Sequence, residues 1–133
     1  MIIDTHAHYD DKAFEEDREQ LLESMVGEGI GRIVNIGSSL NACKRTIQLM
    51  EQYDFIYGAL GIHPTDSGEL TESDIEWIKD NCALEKCVAV GEIGLDYHYD
   101  THPREFQRFW FIQQLRLAEE TGLPVVIHSR ESS

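Results

Sequence analysis

The chain has 133 residues, of which 41% are hydrophobic, and a formal net charge of −14 at pH 7. This length and composition suit one globular domain with a real core, so we do not expect two domains. The acidic charge argues against nucleic-acid binding by a broad basic surface, and phosphate chemistry would need metal ions to supply positive charge locally. Nothing resembles a signal peptide and no apolar run could span a bilayer, so we expect a cytoplasmic protein.

Five apolar segments, several of them apolar on both faces, are typical of parallel strands covered by helices. In chain order these predicted strands are residues 1–4, 31–36, 55–61, 87–95 and 124–128. The segments between them show helical spacing instead. The predicted inner faces of the four helices are Phe14, Leu21, Leu22 and Met25; Leu40, Cys43, Ile47 and Met50; Ile75, Ile78 and Cys82; and Phe106, Phe109, Trp110, Gln113 and Leu117.

Residues with known preferences for helix starts precede three of these helices. Ser38 or Ser39 can cap the second helix, and Thr71 with Asp74 opens the third. Pro103 suits the first helical position of the fourth. The resulting order, β-α-β-α-β-α-β-α-β, predicts parallel strands joined by right-handed crossovers.

Polar residues gather directly after the predicted strands, in "THAHYDD", "GIHPTD", "GEIGLDYHYD" and "IHSRESS". Ligands of parallel α/β folds bind at the C-terminal ends of the strands. We therefore expect these four loops to converge on one rim of the sheet.

The first loop places Asp4, His6 and His8 at every second position. Side chains two apart on a strand point the same way, so these groups would share one face. His6 and His8 are candidates for a metal site. The alternative is a pair of hydrogen-bonded polar residues at the end of a strand.

Glu92 and His128 are candidate ligands on later strands. Glu92 lies in the apolar segment "VAVGEIGLD", where a buried carboxylate is costly unless it is paired or bound to metal. A carboxylate has two oxygens and can hold two cations, although pairing with Arg or Lys would also explain it. His128 follows "LPVVI" and is either a satisfied structural residue or a further ligand beside Glu92.

Other polar residues on the rim are expected to contact substrate or to support the ligands. His63 precedes Pro64, and we interpret it as a substrate or supporting group rather than a ligand. Arg130 could bind a phosphate or pair with a surface carboxylate. Asp96 and Tyr97 could orient ligands or substrate, or could simply form a turn and a packing ring.

Taken together, "IDTHAH", "GIHP", "VAVGEIGLDY" and "PVVIHSR" resemble, in this order, the TatD family of metal-dependent deoxyribonucleases, within the amidohydrolase-like barrels. The resemblance runs over the entire chain. It implies an α/β fold, a parallel TIM-type (β/α)8 barrel, of which residues 1–133 would be an incomplete domain with about the first five strands and four helices.

The resemblance also implies a two-metal site that hydrolyses DNA phosphodiester bonds, often as an exonuclease. His6 and His8 would bind one divalent cation, His128 the other, and Glu92 would bridge both as the catalytic carboxylate. Mg²⁺ or Mn²⁺ is expected in function, while the nitrogen donors also suit Zn²⁺ or Ni²⁺.

A further histidine and an aspartate of the family pattern have no counterpart in this chain, so the isolated chain could be inactive. Two alternatives follow: a metal-dependent hydrolase of a small ester, amide or lactone, and an inert module for binding or assembly. A five-stranded open sheet would expose two edges, which predicts a homo-oligomer that covers them.

Overall fold

The five predicted strands form one parallel sheet in a computed structural model that describes residues 2–9, 15–98 and 102–131, apart from the side chains of residues 2 and 69. The strands are Ile2–Ala7 (β1), Ile30–Ile36 (β2), Ile56–Leu60 (β3), Cys87–Asp96 (β4) and Val125–Arg130 (β5). Their order in the sheet is β1-β2-β3-β4-β5, and every pair is parallel. Each connection is thus a crossover to the next strand, as the alternating pattern predicted.

Four helices occupy the crossovers: Arg18–Gly27 (α1), Leu40–Gln52 (α2), Glu72–Asn81 (α3) and Arg104–Thr121 (α4). A short 3-10 helix, Pro64–Glu69, lies between β3 and α3. The first strand runs three residues beyond its predicted end at Asp4, so His6 belongs to β1 itself. Met1 and Phe14, which were predicted in the first strand and the first helix, lie outside the described residues.

The helix starts mostly agree with the sequence. The Ser39 hydroxyl accepts a hydrogen bond from the Ala42 N–H at 3.1 Å, and Thr71 forms a reciprocal capping box with Asp74. The prediction for Pro103 was wrong by one position. Its ψ of 138° is extended, so Pro103 precedes the helix and α4 begins at Arg104.

The predicted inner face of α4 was wrong, although Leu117 is buried as expected. Phe106 and Phe109 are 53% and 46% exposed, while Gln107 and Gln114 are each only 1% exposed. The two glutamines are buried because their amides hydrogen-bond to the backbone of Ile62, just after β3, and of Asp96, at the end of β4. Hydrophobic spacing does not register such polar contacts, so it predicted a rotated face.

Two apolar clusters cover the two faces of the sheet. The larger one packs the helices on the sheet and includes Leu22, Ile33 and Ile78. A small one on the other face contains Ile36, Ala59 and Ala89. The outermost strands β1 and β5 expose Ile3 and Ile127 by 51% and 54%, as expected for an open sheet. Within the described ranges, no helix combines the length and apolar character required to cross a membrane.

Candidate metal centre

Five of the predicted site residues converge at the C-terminal rim of the sheet. His6 lies in β1, His8 directly follows β1, and His63 follows β3 at the start of the 3-10 helix. Glu92 lies in β4 and His128 in β5. Because all strands are parallel, their polar ends open on the same side.

The Glu92 carboxylate is the centre of this group, and its two oxygens face different histidines. Oε2 lies 3.3 Å from Nε2 of His6 and 4.0 Å from Nε2 of His8. Oε1 lies 3.2 Å from Nδ1 of His128 and 3.9 Å from Nε2 of His63. The Glu92 side chain is 12% exposed, and its ion-pair partners among the described residues are histidines rather than Lys or Arg.

Two sets of potential ligand atoms result, each within a span of 4.8 Å. One contains His6, His8 and Glu92, and the other contains His63, Glu92 and His128. Imidazole nitrogens and a shared carboxylate are a donor set that suits divalent transition metals. Each set could hold a metal ion, and Glu92 belongs to both.

Hydrogen bonds outside the centre determine which nitrogen of His8 faces inward. Nδ1 of His8 lies 3.0 Å from the carbonyl oxygen of Ile36, so Nδ1–H donates to it. In the neutral ring this leaves the lone pair on Nε2. Nε2 is the atom that lies 3.3 Å from Nε2 of His6, as two ligands of one cation require.

His128 is oriented in the same manner by a buried carboxylate. Its Nε2–H donates to Oδ2 of Asp96 at 2.9 Å, which in the neutral ring leaves the lone pair on Nδ1 beside Glu92. Asp96 is 1% exposed. Such carboxylate–histidine pairs fix the ring orientation and raise the basicity of ligating histidines. Of the two interpretations of Asp96, this contact favours orientation of a ligand.

His63 differs from the other histidines in the atom that it presents. Its Nδ1 accepts a hydrogen bond from the Thr65 backbone N–H at 3.2 Å and lies 2.7 Å from the Thr65 hydroxyl. Burial, followed by the neighbouring His128, lowers the pKa of His63 below its usual value, which favours the neutral ring. With Nδ1 as acceptor, the proton of the neutral ring is on Nε2, the atom that faces Glu92. His63 thus presents a donor, whereas His8 and His128 present lone pairs.

Asp4 does not join this group as the alternating pattern suggested. Its Oδ1 accepts a hydrogen bond from the His6 backbone N–H at 3.2 Å. The strand register is irregular between Asp4 and Ala7. Among the described residues, the sets that could hold a metal ion include His6 and His8 but not Asp4.

Two glycines on either side of Glu92 allow β5 to approach β4 closely. Gly94 has a φ of +145°, and a Cβ there would collide with the carbonyl oxygen of His128. A Cβ at Gly91 would lie 2.6 Å from the Cβ of Val126. The glycines in "GEIG" are therefore required for the short distance between Glu92 and His128.

The rim beside His128 carries arginine and tyrosine side chains. The Tyr97 N–H donates to the carbonyl oxygen of Arg130 at 3.0 Å. The guanidinium of Arg104 lies 4.3 Å from the centre of the Tyr97 ring, within the range of a cation–π contact. Arg130 is exposed at the end of β5.

Sequence reasoning missed three buried amides that support the centre: Asn35, Gln107 and Gln114. Asn35 and Gln114 hydrogen-bond to the backbone of residues that are next to His8 and His63 in the chain. Gln107 hydrogen-bonds to the backbone of Asp96, the residue that orients His128. Two features of the sequence could have indicated them. Asn35 is a polar residue inside the apolar run "RIVNIG", and the two glutamines lie seven residues apart on α4. Residues seven apart face the same side of a helix.

Comparisons with known proteins show the family of the chain. The family model for TatD related DNase matches residues 3–133. The chain is 43% identical over 133 residues to the uncharacterized metal-dependent hydrolase YabD of Bacillus subtilis, covering 100% of this chain and 52% of YabD. It is 30% identical over 119 residues to the 3'-5' ssDNA/RNA exonuclease TatD of Shigella flexneri, covering 90% of this chain and 46% of that protein.

Among solved structures, the crystal structure of YjjV, a TatD homologue from Escherichia coli, superposes with a TM-score of 0.88 at 35% identity. The alignment covers 98% of this chain and 51% of YjjV. The chain thus spans about half the length of the relatives that it matches. With the family model matched over nearly all of its residues, the chain belongs to the TatD related DNase family.

Proposed function

We propose that the chain forms part of a metal-dependent nuclease that hydrolyses phosphodiester bonds in single-stranded DNA as an exonuclease. The observation that carries the proposal is the position of Glu92, whose two oxygens face two separate groups of histidines. The Shigella flexneri relative is named as a 3'-5' exonuclease of single-stranded DNA and RNA, which supports the substrate class. The chain spans about half of that relative, so the nuclease activity of the whole protein is part of this proposal.

Two divalent cations would be held by this chain's own residues. His6, His8 and Glu92 would hold one, and Glu92 with His128 would contribute to the other. Bound there, the cations would supply Lewis acidity that activates water and balances the charge developing on phosphate oxygens. We expect Mg²⁺ or Mn²⁺ in function, and the imidazole donors would also accept Zn²⁺ or Ni²⁺.

The remaining polar groups would bind the substrate. The Nε2–H of His63 can donate a hydrogen bond to a phosphate oxygen, since Nδ1 is engaged with Thr65. Arg130, at the exposed end of β5, can pair with a neighbouring phosphate. The charge of Arg130 matters in a chain with 11 basic and 25 acidic residues, because only local positive charge can attract DNA.

The proposal is tested with a 5′-labelled single-stranded oligonucleotide incubated with the chain and Mn²⁺ or Mg²⁺. We expect stepwise shortening from one end that EDTA abolishes. His6→Ala and His128→Ala should remove the activity, whereas His98→Ala, at an exposed histidine outside both ligand sets, should retain it. Hydrolysis of a nitrophenyl ester without hydrolysis of DNA would favour the small-substrate alternative.

A chain that binds both cations yet cleaves neither substrate would support the inert binding or assembly module instead. Isothermal titration calorimetry with Mn²⁺ separates this outcome from a chain that binds no metal. The latter result would remove the proposed function itself.

Two further expectations accompany the proposal. The exposed edges β1 and β5 favour association of copies, and sedimentation equilibrium of the purified chain tests this. A single species with the mass of one chain would contradict it. The cytoplasmic location is likewise a prediction, tested by fractionation of cells that produce the protein.

A further inference from the structure

Three side-chain amides are buried beneath the rim, where each has to satisfy its polar atoms within the protein. Asn35, Gln107 and Gln114 are 0%, 1% and 1% exposed. A buried amide without partners costs free energy, so each of these positions needs specific hydrogen bonds. In each case the hydrogen-bond partners include the backbone of a residue that adjoins or orients a site histidine.

Gln107 of α4 is paired with the backbone of Asp96. Its Oε1 accepts from the Asp96 N–H at 2.9 Å, and its Nε2 donates to the Asp96 carbonyl at 3.1 Å. Nε2 also donates to the carbonyl of His102 at 3.2 Å. Asp96 in turn accepts from Nε2–H of His128. Gln107 therefore fixes the residue that orients His128.

Gln114, two turns further along α4, makes the same pairing with Ile62. Its Oε1 accepts from the Ile62 N–H at 2.7 Å, and its Nε2 donates to the Ile62 carbonyl at 3.3 Å. Ile62 immediately precedes His63. One helix face therefore holds the backbone positions that set both His63 and His128, whose ring centres lie 4.2 Å apart.

Asn35 of β2 acts at the first histidine loop. Its Oδ1 accepts from the Tyr9 N–H at 2.6 Å, and its Nδ2 donates to the Thr46 hydroxyl at 2.8 Å. Tyr9 immediately follows His8. A buried amide thus also holds the backbone next to a site histidine on the other side of Glu92, here through a single backbone hydrogen bond.

We infer that Gln107 and Gln114 are positioning residues of the centre: Gln107 aligns His128 through Asp96, and Gln114 aligns His63 through Ile62. This inference rests on the proposed function in one respect: it takes His128 as a metal ligand and His63 as a hydrogen-bond donor to the substrate. Helix α4 then sets the position of the one relative to the other. The placement itself is a property of the metal-free chain. It can therefore be tested without any cation.

The test compares Gln107→Met and Gln114→Met, which keep side-chain length but remove both amide functions. Gln113→Met is the matched control, because Gln113 lies on the same helix in a groove with Glu72 and Ile75. The readout is the imidazole ring resonances of His63 and His128 by NMR in the metal-free chain, together with the exchange rate of the His128 Nε2–H proton.

We expect Gln107→Met to shift the ring resonances of His128 and to speed the exchange of its Nε2–H proton, with a smaller change in the resonances of His63. Gln114→Met should change the resonances of His63 more than those of His128. Gln113→Met should leave the resonances of both rings unchanged. A general loss of stability would alter both histidines alike in either glutamine variant, and that result would overturn the inference. Unchanged ring resonances in a folded Gln107→Met chain would do the same.

If Gln107→Met does not fold, Gln107→Asn provides the test, because it keeps a neutral amide but is one methylene too short to reach both backbone groups of Asp96. Titration of Mn²⁺ then measures the consequence. We expect the affinity of the cation at His128 to fall about tenfold in the folded Gln107 variant, comparable to the loss of other ligand-supporting groups. No loss of affinity despite a displaced His128 ring would contradict the proposed function and leave the positioning role intact.

Discussion

Nε2 of His6 in β1 and Oε2 of Glu92 in β4 lie 3.3 Å apart across the two strands that separate them in the sheet. In a flat sheet, three strand spacings would place the two backbones about 14 Å apart. The contact therefore requires the sheet to curve so that its C-terminal ends close on one another. That curvature, typical of a barrel wall, is what creates the site.

Glu92→Gln should weaken the binding of both cations, because the amide keeps the shape of the side chain but loses the negative charge shared by the two sets. We expect the Mn²⁺ affinity to fall by more than about 100-fold, exceeding the usual effect of supporting groups. Calorimetry measures this directly. Glu120→Gln, at an exposed residue that pairs with Lys79, is the control and should bind as before. Equal affinities in the two variants would refute the bridging role.

Removal of metal should lower the thermal stability of the chain. A ligand that binds only the folded state at 100 times its Kd adds about 2.7 kcal/mol per site. We therefore expect Tm to rise by several degrees in Mn²⁺ and to return to its metal-free value in EDTA. Differential scanning calorimetry checks this, and a Tm that is insensitive to Mn²⁺ in the wild-type chain would contradict a folded-state site.

His63→Ala distinguishes substrate binding from metal ligation at this position. Since Nδ1 accepts from Thr65 and Nε2 carries the proton, we expect Mn²⁺ binding to be retained. Binding of a nuclease-resistant single-stranded oligonucleotide should weaken about tenfold, the effect of one lost hydrogen bond to a charged group. Fluorescence anisotropy measures the oligonucleotide, and calorimetry measures the metal. Loss of one equivalent of Mn²⁺ would instead make His63 a ligand.

Gly94→Ala should destabilise the fold and displace His128. The added methyl group would meet the His128 carbonyl in a backbone conformation that L residues rarely adopt. We expect a loss of at least about 2 kcal/mol in the free energy of unfolding, in the range for overpacked sites. Urea denaturation provides the measurement. Gly27→Ala is the control, because a Cβ there meets nothing within 4 Å, and it should not destabilise the chain.

The backbone plan of the molecule could be predicted from local patterns. Val- and Ile-rich segments predicted β2 to β5 nearly to their ends, and Ser39 and Thr71 correctly marked two helix starts. These features depend on neighbours in the chain, so sequence reports them directly. The same reasoning failed on α4, where a buried amide such as Gln107 is polar by composition but internal by its hydrogen bonds.

The amino-acid sequence by itself determined which chemical groups are available and at which strand ends they occur: two histidines in "DTHAH", a carboxylate in "GEIG" and a histidine in "VVIH". Only the tertiary structure decided which of their atoms meet. Curvature of the sheet brings His6 to Glu92, Gly94 lets β5 approach, and bonds from Ile36, Asp96 and Thr65 decide whether a ring turns a lone pair or a proton inward. These contacts join residues that are mostly distant in the chain, so no local pattern encodes them.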